Sequence, residues 1–143
     1  QYVAEKLHGT GIVIALDILP MTPVDGAIHI TGDFREESVL NQLIEAIPKP
    51  KVDLVLSDMA PNMSGNPAID IPQAMYLAEL AFEFSDHMLK TGADLFIKVF
   101  HGSGFDDLVK HAKKKFKKVV IKKPLASRAR SRETYLLAKG YNL

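Results

Sequence analysis

Short apolar runs rich in β-branched residues alternate along this chain with segments of helical period, and several of the runs end in a polar cluster. No other feature restricts the fold as much, because strands separated by helices pair in parallel through right-handed crossovers. Gly11-Ile12-Val13-Ile14-Ala15-Leu16 reads as a buried strand, and Ala27 to Thr31 as a second. Val52 to Ser57 and Asp94 to Phe100 repeat the pattern, and shorter strands near Val119 to Ile121 and Thr134 to Ala138 follow. Between them, Glu36 to Ile47 places Val39, Leu40, Leu43, Ile44 and Ile47 at helical spacing until Pro48 and Pro50 break it. A second helix is expected to start at Asp70 and Pro72, to carry Leu77, Ala81, Phe84 and Met88 as its apolar stripe, and to stop at Thr91-Gly92. A third follows Gly102 and Gly104 and runs to about Phe116, while Gln1 to His8 reads as the tail of a helix already under way. The expected architecture is α/β, one domain over residues 1–143, with a mostly parallel sheet flanked by helices.

Composition removes several function classes. The 143 residues contain no cysteine, which excludes disulfide scaffolds, thiol catalysis and cysteine-ligated metal, and makes a reducing, cytoplasmic setting the default expectation. Five histidines show no paired ligand spacing, so no metal site is expected. A phosphate-binding G-x-x-x-x-G-K-[ST] loop and a G-x-S-x-G elbow are both absent, and no apolar run approaches the roughly 18 residues needed to span a bilayer.

The formal net charge of +1 conceals a division. Residues 1–109 carry 16 acids against 6 Lys and Arg, whereas residues 110–143 carry 12 Lys and Arg against Glu133 alone. A basic end of this density suits a polyphosphate backbone. The lysine run from Lys113 to Lys118 reads equally well as a solvated face, but Arg128, Arg130 and Arg132 alternate, so an extended segment would point all three guanidinium forks the same way.

Ligands of open α/β sheets bind beyond the carboxyl ends of the strands. Asp17, Asp33 and Asp58 each lie at such an end. Singly, each could be an ordinary turn former; together they suggest a nucleoside-bearing cofactor across the strand tips, with Asp17 suited to a ribose diol. Lys98, set between Ile97 and Val99, must either reach outward or be held by acids, because an unpaired buried ammonium is costly. Asp58 and Glu133 are its expected partners. Desolvation would depress the lysine pKa and make it a general base, and flanking acids would orient it while limiting that depression.

The stretch Ser57-Asp58-Met59-Ala60-Pro61-Asn62-Met63-Ser64-Gly65, with Asp70-Ile71-Pro72 and Ala74-Met75-Tyr76-Leu77 behind it, closely resembles the FtsJ/RrmJ family of ribose 2′-O-methyltransferases. Ile97-Lys98-Val99-Phe100, Gly104-Phe105-Asp106 and Lys123-Pro124 through Ser127-Arg128-Ala129-Arg130-Ser131-Arg132-Glu133 extend the likeness along essentially the whole chain. The resemblance implies a Rossmann-like fold, S-adenosylmethionine as cofactor, and a uridine ribose in the A loop of large-subunit ribosomal RNA as acceptor, with a monomer working on the large subunit. It implies that Lys98 is the catalytic base with Asp58 and Glu133 as partners, that Asp17 binds the cofactor ribose, that Asp33 and Phe34 sit at the adenine, and that Asp58 lies near the methionine end. Lys123, Arg128, Arg130 and Arg132 are the expected RNA contacts. It also places the family's glycine-rich first motif, first strand and an N-terminal lysine before Gln1, which leaves the first strand missing from this chain and a gap in the expected sheet. Two other readings compete: a catalytically silent RNA-binding module of the same fold, and a nucleotide-dependent oxidoreductase using Asp17.

Overall fold

The structure, a computed structural model, describes residues 2–7, 10–123 and 132–142. In chain order its elements are α1 (Tyr2–Leu7), β1 (Val13–Asp17), β2 (Ala27–Thr31), α2 (Glu37–Ala46), β3 (Val52–Ser57), α3 (Pro67–Met88), β4 (Leu89–Phe100), α4 (Phe105–Lys115), β5 (Phe116–Lys122) and β6 (Glu133–Tyr141). They sort into two compact units, residues 1–50 and residues 51–143. Among the described residues no helix is long and apolar enough to cross a membrane.

In the first unit β1 and β2 pair in parallel from Val13 opposite Ala27 to Asp17 opposite Thr31. Both strands therefore end together, and the Gly32 amide donates to the Asp17 carbonyl just beyond them at 2.9 Å. Helix α2 follows with Val39 and Leu43 buried.

The second unit carries a four-stranded sheet in the order β3-β4-β6-β5. Strands β3 and β4 are parallel, whereas β6 runs antiparallel to both β4 and β5. The α/β expectation is met and parallel pairing holds for β1–β2 and β3–β4, but the C-terminal strands are mixed in direction. No helix stands between β5 and β6, and these two strands return on themselves as an antiparallel pair, whereas β1 and β2, joined by the loop 18–26, stay parallel.

One face of this sheet is dry. Leu95, Ile97 and Val99 of β4 and Leu136 and Ala138 of β6 are at most 1% exposed, packed with Met75, Ala78 and Ala81 of α3 and Leu108 and Ala112 of α4. Alternation then sends Phe96, Lys98, Tyr135 and Leu137 to the opposite, half-buried face. The expected buried strand at Val52 to Ser57 is overturned in part. Val52 and Val55 meet the core, but Leu54 and Leu56 are 46% and 50% exposed, because β3 ends the sheet and its register shifts between Val52 and Leu54.

Helix α3 starts earlier than its sequence suggested. Asn66 caps it by accepting the Ala68 amide at 3.0 Å, and Pro67 supplies a preset first-turn φ, so Pro72 falls inside the helix on its exposed side. Its buried face is Ile71, Ala74, Met75, Ala78, Ala81, Ser85 and Met88, which leaves Leu77 and Phe84 only half-buried. The helix stops at Met88, before Thr91-Gly92, because Leu89 already pairs with Val52. Helix α4 is preceded by Gly104, whose φ of 93° is left-handed and at which a Cβ would lie 3.0 Å from Met75 Cγ.

The far end of the sheet is tied to α3 by a polar lock. The buried Tyr141 hydroxyl donates to Asp86 Oδ1 at 2.6 Å, and Lys115 Nζ lies 3.4 Å from the other carboxylate oxygen. Burial, then the Asp86 hydrogen bond and charge, push the Tyr141 hydroxyl up to about 12. Burial would raise the Asp86 carboxyl, but Tyr141 and Lys115 outweigh it and hold it below its ordinary value. Tyr141→Phe is expected to destabilise the protein by about 1–2 kcal/mol in urea unfolding at neutral pH. In the native protein the Tyr141 contribution is complete below pH 10 and fades as pH rises toward 12, while that of Asp86 is kept above the ordinary carboxylate range and fades as acid protonates it. An alkaline loss of stability unchanged by Tyr141→Phe would contradict the assignment.

Candidate active site

Lys98 lies near the C-terminal end of β4 on its half-buried side, directly opposite Tyr135 of β6. The neighbouring pair, Phe100 opposite Glu133, brings that acid to the same end, and the Ser57–Ile97 pairing leaves Asp58 at the tip of β3 beside it. Three strands of different sequence distance thus meet around one ammonium. Lys98 Nζ is 2.9 Å from Asp58 Oδ1 and 3.8 Å from Glu133 Oε1. The lysine side chain is 14% exposed and that of Asp58 74%, so the cation is sheltered while its partner faces solvent. This is the arrangement the sequence suggested for Lys98, Asp58 and Glu133.

Its electrostatics differ from the simplest expectation. Burial draws the Lys98 pKa down, but the hydrogen bond and charge of Asp58, with the charge of Glu133, overcome it and raise the ammonium above its ordinary value. Lys98 at neutral pH is therefore a cation.

Tyr135 is a member of the site that sequence reasoning passed over. Its hydroxyl donates to Asp58 Oδ1 at 3.0 Å, and its ring stacks on Phe96 with centroids 4.8 Å apart and planes 6° from parallel. The same carboxylate oxygen thus receives both Lys98 and Tyr135. Burial and the Asp58 hydrogen bond raise the Tyr135 pKa, keeping the phenol a donor. The available signal was its place two residues beyond Glu133, on the same strand face.

The first unit holds the other strand-tip acids. Asp17 Oδ1 accepts the Leu19 amide at 3.0 Å, a short turn that leaves Oδ2 for an outside donor. Asp33 is engaged differently: Arg35 grips both its oxygens, with Nε at 3.0 Å from each, and the side-chain and backbone hydrogen bonds from Arg35 hold its carboxyl below the ordinary value. Phe34 beside it is half-buried.

Among the expected RNA contacts, Lys123 and Arg132 are exposed, and the Arg132 carbonyl accepts the His101 amide at 3.0 Å. Arg128 and Arg130 lie outside the described residues. Lys113 and Lys114 at the end of α4 and Lys117, Lys118 and Lys122 on β5 are exposed as well, with Lys118 opposite Lys139 of β6. Lys115 differs, being turned toward Asp86. Among the described residues no cluster of three or more His, Asp or Glu side chains is placed to hold a metal ion.

The α/β sheet thus gathers a sheltered lysine, two carboxylates and a phenol at its strand tips, groups whose chemistry is able to hold or move a proton. The family model of FtsJ-like methyltransferases matches residues 1–141, and the chain belongs to that family. A ribosomal RNA large subunit methyltransferase E from Legionella pneumophila strain Paris is 63% identical over all 143 residues, which cover 69% of its length. The protein of the same name from Alkalilimnicola ehrlichii is 53% identical over all 143, covering 68%. Among solved structures, a Plasmodium falciparum protein assigned as a ribosomal RNA methyltransferase superposes with a TM-score of 0.78 at 27% identity, over 90% of this chain and 71% of that one. A Streptococcus mutans methyltransferase solved in complex with SAH has a TM-score of 0.51 at 14% identity, over 90% and 71% of the two chains, a likeness of fold alone.

Asp58→Asn removes the nearest negative charge from Lys98 while keeping the side-chain shape. The Lys98 pKa is expected to fall, followed by NMR titration of its ε-methylene group. An unchanged titration would mean that Asp58 does not hold the ammonium.

Proposed function

We propose that this chain is the catalytic domain of an enzyme that methylates a ribose 2′-hydroxyl of large-subunit ribosomal RNA, with S-adenosylmethionine as methyl donor. On this reading it works as a monomer in the cytoplasm, on a uridine of the A loop, and supports maturation of the large subunit. The observation that carries the reading is the Lys98 ammonium held by Asp58 and Glu133 in a chain that matches the methyltransferase family over residues 1–141.

The donor set suits the cofactor. Asp17, with one carboxylate oxygen committed to Leu19, has a second for the ribose diol. Phe34 offers an apolar surface for adenine, and Asp33, its carboxylate already anchored by Arg35, fixes the turn that carries that ring. Asp58 is the acid for the methionine end. When bound, S-adenosylmethionine supplies an electrophilic methyl group on a sulfonium.

The protein's own task is to aim the acceptor oxygen and remove its proton. Lys98 Nζ is the proton acceptor, and only in the fraction that has first given up its own proton. After accepting, it returns to the ammonium that Asp58 and Glu133 favour. Tyr135 keeps the Asp58 carboxylate turned toward the lysine by donating to the oxygen that Lys98 contacts. Exposed Lys117, Lys118, Lys122, Lys123 and Arg132, together with Arg128 and Arg130, supply the phosphate attraction, which carries no base preference of its own.

Lys98→Ala is expected to abolish methyl transfer to ribosomal RNA while leaving the circular dichroism unchanged; retained activity would remove Lys98 from the chemistry. Because the Lys98 pKa lies above its ordinary value, the neutral fraction grows about tenfold per pH unit through the physiological range, so kcat/KM should rise with unit slope between about pH 6.5 and 9. A flat profile would reassign Lys98 from base to fixed cation. Tight, salt-sensitive RNA binding with no ribose methylation would favour the silent binding module instead.

A further inference from the structure

Between the tip of β3 and the start of α3 the chain runs through Met59-Ala60-Pro61-Asn62-Met63-Ser64-Gly65-Asn66 without regular structure. Its near end is anchored by Met59, which packs on the main core. Its far end is gripped by Asp70. The Ser64 amide and hydroxyl both donate to Asp70 Oδ1, at 2.9 and 2.8 Å, and the Gly65 amide donates to Oδ2 at 3.0 Å. Asp70 is one of three buried polar side chains among the described residues, in the first turns of α3. Between the two anchors Asn62 and Met63 are exposed, Met63 to 53%.

The grip is referenced to the catalytic strand. Ile71, adjacent to Asp70, is buried with Ala74 and Phe100, and Phe100 lies two residues beyond Lys98 and opposite Glu133. The backbone comes so close there that a Cβ on Gly102 would stand 2.6 Å from Ile71 Cγ2. A rigid path therefore leads from the Lys98 strand through Phe100 and Ile71 to Asp70, and from Asp70 to the loop that leaves Asp58.

We propose that Asp70 is a positioning residue for the acceptor: its buried carboxylate, clamped on Ser64 and Gly65, sets the 60–63 segment as a platform against which the RNA nucleotide is held for Lys98. The proposal rests on the ribose-methyltransferase reading above. Only a carboxylate satisfies all three donors. In Asp70→Asn the amide oxygen can still serve Ser64, but the NH₂ group then faces the Gly65 amide, donor against donor. The backbone hydrogen bond from Ser64, ahead of burial, which opposes it, holds the Asp70 carboxyl below its ordinary value, so the clamp stays ionised throughout the assay range.

The test uses the full-length enzyme and large-subunit RNA lacking the modification. Asp70→Asn is expected to raise the KM for RNA about tenfold while the affinity for SAH, measured by calorimetry, stays within about twofold, because the platform serves the acceptor. Ser64→Ala, which removes the hydroxyl's bond to Asp70 and the bond it accepts from the Asn66 amide but keeps both backbone bonds to the carboxylate, should raise the RNA KM roughly threefold and decides the matter if Asp70→Asn does not fold. Amide exchange at residues 60–65 should quicken in both variants. An unchanged RNA KM in the variant that folds, or a parallel loss of SAH affinity, overturns the proposal. A wild-type enzyme that transfers no methyl group to ribose overturns the functional reading, and this proposal with it.

Discussion

Everything at this site depends on the two-sided nature of β4. One side, Leu95, Ile97 and Val99, is sealed against α3 and α4 and is no more than 1% exposed. A strand held so firmly by one face cannot slip by a residue without turning its whole apolar set into water, so the position of Lys98 on the other face is dictated by burial. The ammonium does not stabilise the strand; the strand imposes a place on the ammonium. The carboxylates of Asp58 and Glu133 are then needed to make that sheltered place tolerable for a charge, and in doing so they raise the lysine pKa.

This balance separates two properties that are easily confused. Shelter alone would have made Lys98 a ready base by favouring its neutral form. Shelter with two acids makes it a strong cation that is well aimed but reluctant. The phenol of Tyr135, stacked on Phe96, shares Asp58 with it, so the carboxylate is constrained from two strands at once. Orientation is gained while the fraction of Lys98 in its neutral, proton-accepting form shrinks, a trade that, on the proposed reading, suits a reaction in which accurate placement of the acceptor oxygen matters as much as the supply of free base.

Much of this was legible in the chain. β2 and β3 begin and end where their β-branched runs do, and the triad of Asp58, Lys98 and Glu133 could be read from a lysine inside an apolar strand with an acid at the neighbouring tip. What escaped depends on pairing direction or on local hydrogen bonds. Tyr135 matters because β6 runs antiparallel to β4 and sets it opposite Lys98, and register across strands leaves no mark within one strand. Asp70 reads as a helix start because acids do begin helices; its actual work, holding Ser64 and Gly65, falls to it because Asn66 and Pro67 have already begun α3. Leu54 and Leu56 read as core because hydrophobicity does not reveal which strand ends a sheet. The family resemblance pointed to Asp58, Lys98 and Glu133, and the geometry adds Tyr135 beside them and the hydrogen bonds of Asp70 to Ser64 and Gly65.

The strand order β3-β4-β6-β5 has a consequence for how such a site comes into being. β6 is made last of the four yet sits between β4 and β5, so both of those strands must wait, each with an unsatisfied edge, for a partner still to be synthesised. Glu133 and Tyr135 travel on that final strand. While the chain is still growing on the ribosome, Lys98 lacks its second acid and Asp58 lacks its phenol, so closing the sheet and assembling the cluster around Lys98 are one event in the protein's biosynthesis.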